Sequence, residues 1–248
     1  MDTVRNITHF IGIEEEHLLS SIANLGDDFF LIHNLDEIYQ IGSELSPINK
    51  KGLKMPAFLY LITHSEFYLG MVSFLRLHTS KSFTSLRSAL DCTFTAYYLL
   101  KYPDKVDIYL SKIKEEKNPE WNKIFLNIKR TVKKDIDNFP MAKGLPEIHE
   151  YCSMYAHSDA LGILGRYQED EEGLNAKFFD YEASPDGHKK WLACLLTTFL
   201  RIYAIYWEEI FKHNAGEKME EMKYKITEYQ KKLEIFEDKY PLGESSKS

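Results

Sequence analysis

The side chains able to do chemistry in this chain are few. Arg87 and Asp91 stand four residues apart inside Phe83–Lys101, FTSLRSALDCTFTAYYLLK, where Asp91 is the only charge between Ser88 and Tyr98. On a helix that spacing lets a guanidinium and a carboxylate meet. Ser153 and His157 are also one turn apart, in EIHEYCSMYAH, and Glu66 is an acid within a strongly apolar segment. An imidazole poised near neutral pH beside a guanidinium is a workable arrangement for metal-free phosphodiester cleavage. The histidine moves the proton and the arginine stabilises the charge that develops on phosphate. In that arrangement His157 is the acid/base at a helix C-terminus, where the dipole favours its protonated form. Arg87 holds the phosphate, and Asp91 or Glu66 orients them. The bland alternative is structural: Arg87 pairs with Asp91 as a buried ion pair, and Ser153 and His157 satisfy buried backbone groups.

Other chemistries find less support. The chain has no glycine-rich phosphate loop, no GxSxG, no HExxH and no CxxC pair, so no cofactor is expected. Glu14-x-x-His17 has the spacing used by di-iron bundles, but those need a second such pair on another helix, and none is present, so no metal is expected. Cys152 with His149 or His157 is a poor nucleophile and base, because Cys152 and His157 point far apart on one helix.

The elements that must position these residues read as helices. Around Phe83–Lys101, Phe83, Leu86, Leu90, Phe94 and Tyr97 form one apolar stripe and Ser85, Ala89, Cys92 and Ala96 a small-residue stripe opposite, the pattern of a buried central helix capped by Thr79-Ser80. Before it, helical periods run over Val4–Leu25 and Phe29–Leu45, and Pro56 opens a third helix to Arg76 that is apolar nearly all round. Thr63, Glu66, Gly70 and Ser73 line one strip of that helix, and His64 points away from Glu66. After the central helix come a short helix from Pro103 to Glu116, one from Trp121 to Asp135, one from Glu147 to His157 and a long one from Lys189 to Phe211. Residues 158–186 break the pattern and read as an irregular loop or short hairpin. The last helix, Glu217–Tyr240, carries Met219, Met222, Ile226, Tyr229, Leu233, Phe236 and Tyr240 as a narrow seam. That seam either docks on its own bundle or joins two copies in a homodimer. The expectation is one all-α domain over residues 1–240, a bundle of eight or nine helices with its core in 57–211, and a disordered tail over 241–248.

With 44% apolar residues among 248, the chain has ample material for such a core. Cys92, Cys152 and Cys194 are odd in number and widely spaced, as in reduced core thiols of a cytoplasmic protein. Glu14, Glu15 and Glu16 stand where a signal peptide needs an apolar run, and the longest apolar run, Trp191–Trp207, falls short of a bilayer span, so no membrane partner is expected. The net charge of −7 argues against coating a polyanion with the whole surface. It is unevenly spread, however: Lys101–Lys134 holds ten Lys and Arg against five Asp and Glu. Lys129, Arg130, Lys133 and Lys134 make this segment the candidate nucleic-acid surface.

The sequence SLRSALDCTFTAYYLLKYPD, followed some fifty residues later by EYCSMYAHSDA and then by a long apolar helix, resembles an uncharacterised group of bacterial helical proteins related to the HEPN superfamily. The resemblance covers about Ala57 to Phe211. It implies a helical fold and, in the members that act as ribonucleases, an Arg followed by a polar residue and then a His, with four to six residues between the Arg and the His, and an acid on a neighbouring helix. His157 matches the His and Ser153 stands where the polar residue is expected. The positions for the Arg hold Glu150, Tyr151 and Cys152, none of them cationic, so Arg87 would supply that charge from another helix. The functional expectation is a HEPN-like protein that binds RNA or a nucleotide around His157, with metal-independent RNA cleavage. Its alternatives are a non-catalytic dimeric interaction or regulatory protein, and a small-ligand sensor with a pocket lined by Tyr97, Tyr98 and Tyr155.

Overall fold

The computed structural model describes residues 4–47, 50, 52–111, 120–135, 139, 142–156, 167–170, 173–176, 178–180 and 185–241. Within them the fold is all-α, apart from one short hairpin. The helices are α1 (Ile7–Leu25), α2 (Phe30–Glu44), α3 (Lys54–Leu75), α4 (Thr79–Lys101), a six-residue α5 (Val106–Ser111), α6 (Glu120–Asp135), α7 (Leu145–Ala156), α8 (Pro185–Tyr206) and α9 (Met219–Lys239). A π-helical turn, Trp207–Phe211, ends α8. The hairpin pairs β1 (Tyr167–Asp170) with β2 (Gly173–Ala176), antiparallel, Tyr167 opposite Ala176.

The two stripes of α4 explain its place at the centre. Phe83, Leu86, Leu90 and Phe94 on one side and Ala89 and Ala96 on the other are all buried. The helix packs on α3, α6, α7 and α8. One continuous core runs from Leu25 to Tyr240, so α2 and α9 belong to it together with residues 57–211. Where α2, α3 and α8 meet, Tyr39 and Tyr60 stack with centroids 5.8 Å apart. The Tyr39 hydroxyl donates to the Phe199 carbonyl at 2.8 Å and the Tyr60 hydroxyl to the Tyr39 carbonyl at 2.6 Å. Gly42 admits this approach, since a Cβ there would collide with the Tyr60 ring and lie 2.9 Å from Tyr203.

One expectation changes here. Thr79 and Ser80 lie inside α4 and do not cap it. The cap comes from Asp180, whose carboxylate accepts from the Ser80 backbone N–H at 3.0 Å and from its hydroxyl at 2.9 Å. The turn before α4 is a Schellman motif closing α3: His78 N–H bonds the Ser73 carbonyl at 2.8 Å and Leu77 N–H the Phe74 carbonyl at 3.0 Å. Its left-handed position, which favours glycine, is held by Leu77 at φ 59°. Asp180 N–H also bonds the Leu77 carbonyl at 2.7 Å, and Phe179 stacks on His78 and Phe10. Residues 178–180 thus fasten α1 to the α3–α4 corner.

The seam of the last helix takes the docked arrangement. Met222, Tyr229, Leu233 and Phe236 are 0–3% exposed, covered by α2 and α8 of the same chain. That seam is filled from within the chain. Of the described helices, α3 is long and apolar enough to cross a membrane by length and composition, with half of it buried in the bundle. Residues 242–248 and the stretch from 112 to 116 lie outside the described residues.

Candidate functional site

α4 and α7 place three polar side chains together. Arg87 and Asp91, one turn apart on α4, lie 3.9 Å from each other, Arg87 Nε to Asp91 Oδ2. The other carboxylate oxygen of Asp91 is 2.8 Å from His149 Nε2 on α7. α7 is held at this distance by its own apolar face: Leu145 and Cys152 are fully buried against α4, and the His149 ring lies 5.7 Å from Phe94. Asp91 therefore bridges a guanidinium on its own helix and an imidazole on the next.

The three side chains are unevenly exposed. Asp91 is 50% exposed and Arg87 27%, whereas the His149 side chain is 10% exposed. The ion pair expected to be buried is thus open to water at its carboxylate, while the Arg87 Nε atom is enclosed, and at 3.9 Å the two form no hydrogen bond. With Nε2 facing the carboxylate, His149 has Nδ1 left, and this atom is enclosed with no hydrogen-bond partner among the described residues. An imidazole in that position is oriented by Asp91 but presents no nitrogen to solvent. Proton transfer to a bound substrate needs such a nitrogen within hydrogen-bond reach.

The other expected members go elsewhere. Glu66 accepts a hydrogen bond from Ser88 at 2.8 Å, across the α3–α4 contact. Ser153 donates to the His149 carbonyl at 2.7 Å, a bond within its own helix that leaves the hydroxyl committed. His157 lies outside the described residues, as do the side chains of Lys129 and Tyr155. Cys152 sits near Arg87, but burial pushes its thiol up to about 12, so it is no nucleophile. Tyr97 donates to Asp135 at 3.2 Å and lines an apolar cleft with Phe94, Val132 and Phe139. Lys101 also bonds Asp135 and, with Tyr97, holds its carboxyl below the usual range.

α6 brings the cations beside this cluster. Lys133 bonds Glu150 at 3.3 Å, next to His149 on α7. Lys123, Arg130 and Lys134 are exposed and form no ion pair among the described residues. Spaced by seven and four residues, they share one outward face of α6.

Sequence reasoning overlooked His149 as the partner of Asp91, weighing it only beside Cys152. It also set His64 apart without a role. His64 lies on α3 with Nε2 3.0 Å from Asp36 and Nδ1 3.2 Å from Ser43. This has the order of a serine–histidine–aspartate relay, yet the Ser43 hydroxyl faces the Tyr39 carbonyl at 3.2 Å and the ring is packed by Tyr39 and Tyr68. It ties α2 to α3. Glu14, of the Glu14-x-x-His17 spacing, is bound to His78 at 2.8 Å. Among the described residues no three His, Cys, Asp or Glu side chains gather as a metal site.

Comparison with protein-family models, curated proteins and solved structures finds no match in any of the three.

Proposed function

We propose that this chain is a HEPN-like RNA-binding protein of the cytoplasm that holds RNA without cutting it. The observation that carries the reading is the outward row Lys123, Arg130 and Lys134 on α6, joined through Lys133 and Glu150 to the Arg87–Asp91–His149 cluster, whose carboxylate is half exposed. Eleven residues of helix extend about 16 Å, so the row offers cations to about three successive phosphates. Arg87 adds a guanidinium at the end of the track. The three free thiols fit a reducing compartment.

The reading of binding without cleavage is supported by the state of His149, the histidine beside Asp91. Asp91 holds one nitrogen and packing encloses the other, so this imidazole has no free nitrogen to offer an RNA. It positions α7 against α4 and leaves Asp91 to orient Arg87.

Fluorescence anisotropy with a labelled single-stranded RNA tests this. Binding at low salt should weaken with added salt along a log–log slope of about −2, at roughly 0.7 per phosphate contacted. Replacing Lys123, Arg130 and Lys134 together by Glu should lower affinity more than tenfold, while the RNA stays intact throughout. Absence of binding at low salt, or a triple variant that binds as the parent does, overturns the reading.

A further inference from the structure

We infer that α3 is the surface through which two copies of this chain associate, packed side by side and antiparallel. Phe58, Ile62, Leu69 and Val72 are 41–54% exposed, although each is large and apolar. With Ser65, which is also exposed, they follow one another at steps of four, three, four and three residues. That is the interval of a seam made for another helix, and it runs some 20 Å along the surface. Between Lys54 and Arg76 the only ionisable side chains of α3 besides Tyr60 and Tyr68 are His64 and Glu66, and both are turned to partners within the chain, Asp36 and Ser88. The stripe is therefore uncharged over its whole length.

The pattern suits a second copy better than other occupants. It is nearly the same read in either direction: Phe58 faces Val72, Ile62 faces Leu69, and Ser65 meets its own counterpart. The smallest side chain thus falls at the crossing point, where two helices approach most closely. With Tyr68, itself 44% exposed, the five large side chains expose roughly 100 Å² each. Two copies together would withdraw on the order of 1,000 Å², the lower bound for a specific interface. Tyr68, stacked on His64 beside Asp36 and Gln40, forms the polar rim of such a contact. An RNA or an anionic bilayer would want cations on this face, and it has them only at its ends. The inference does not rest on the RNA-binding reading, which uses α6.

Sedimentation equilibrium of the full chain, at concentrations up to tens of micromolar, should give twice the chain mass, and Leu69→Glu should give the single-chain mass with unchanged circular dichroism. Ser65→Cys supplies a second measurement, since mild oxidation should trap a disulfide-linked dimer that reduction releases. A monomeric parent chain, a Leu69→Glu variant that folds and remains dimeric, or a monomer that instead pellets with anionic vesicles overturns the inference. If Leu69→Glu does not fold, the Ser65→Cys result decides: no cross-link overturns it.

Discussion

The Nε2 atom of His149 lies 2.8 Å from the Oδ1 atom of Asp91, joining α7 to the central helix through a carboxylate that is itself half in water. Asp91 was expected to orient Arg87 and His157, and among the described residues it holds His149.

If that link is structural, it should show as coupling energy. A double-mutant cycle with His149→Ala and Asp91→Ala, followed by urea unfolding, should return about 1 kcal/mol of interaction, kept modest by the exposure of Asp91. RNA affinity should change less than twofold in His149→Ala. A coupling indistinguishable from zero would mean that the two groups stabilise the bundle independently.

Asp180 caps α4 across a hundred residues. Asp180→Ala removes both hydrogen bonds to Ser80 and should cost about 1–2 kcal/mol. Hydrogen exchange should quicken at Ser80 and Lys81, with the far end of α4 unaffected. Uniform loss of protection along α4 would show that the carboxylate does more than cap.

Leu77 occupies the left-handed position of the Schellman turn, a conformation costing roughly 1–2 kcal/mol for a residue with a Cβ. Leu77→Gly relieves that strain but loosens the unfolded chain, so the net gain should be about 0.5–1 kcal/mol, read as a higher Tm. A lower Tm would show that packing by the Leu77 side chain outweighs the strain.

His188 stacks on Phe74 with ring centroids 4.0 Å apart. Burial pushes its pKa down to about 4, whereas an unfolded histidine titrates near pH 6.5. Between these values the unfolded chain binds a proton that the folded chain excludes, so stability falls as pH drops from about 7 to about 4. His188→Phe keeps the stack and removes the titration, and should flatten Tm against pH across that window. An unchanged slope would assign the acid sensitivity to other groups.

Leu233 is 3% exposed in the filled seam of α9. Leu233→Ser should therefore destabilise the monomer fold, by about 2–4 kcal/mol, with no change in oligomeric state. Loss of self-association without loss of stability would return the interface to α9.

How far the sequence could be read depended on distance along the chain. The stripes of α4, the apolar wrap of α3 and the period of α9 were legible because helix geometry converts spacing into direction, and all three helices form where expected. The partner of a stripe was not legible. The period of α9 is the same whether the seam meets α2 and α8 or another copy, and only the burial of Met222 and Leu233 decides between them. Arg87 and Asp91 were found because they are neighbours on one helix. His149 was passed over because its approach to Asp91 depends on how α7 is rotated against α4, a property of packing that no local pattern contains. Thr79 and Ser80 misled by residue type: each is a good cap locally, yet Asp180 takes that role from far downstream. The stretch beyond Ala156, where His157 lies, is outside the described residues, so its pairing with Ser153 stays an expectation.

The fastening of Ser80 by Asp180 also sets an order of events during synthesis. When Lys101 leaves the ribosome, the start of the central helix still has its first amides open to water. They wait through some eighty further codons for the carboxylate that closes them. The nascent chain therefore emerges with the first turn of its central helix uncapped, and that turn is closed only after most of the protein has been made.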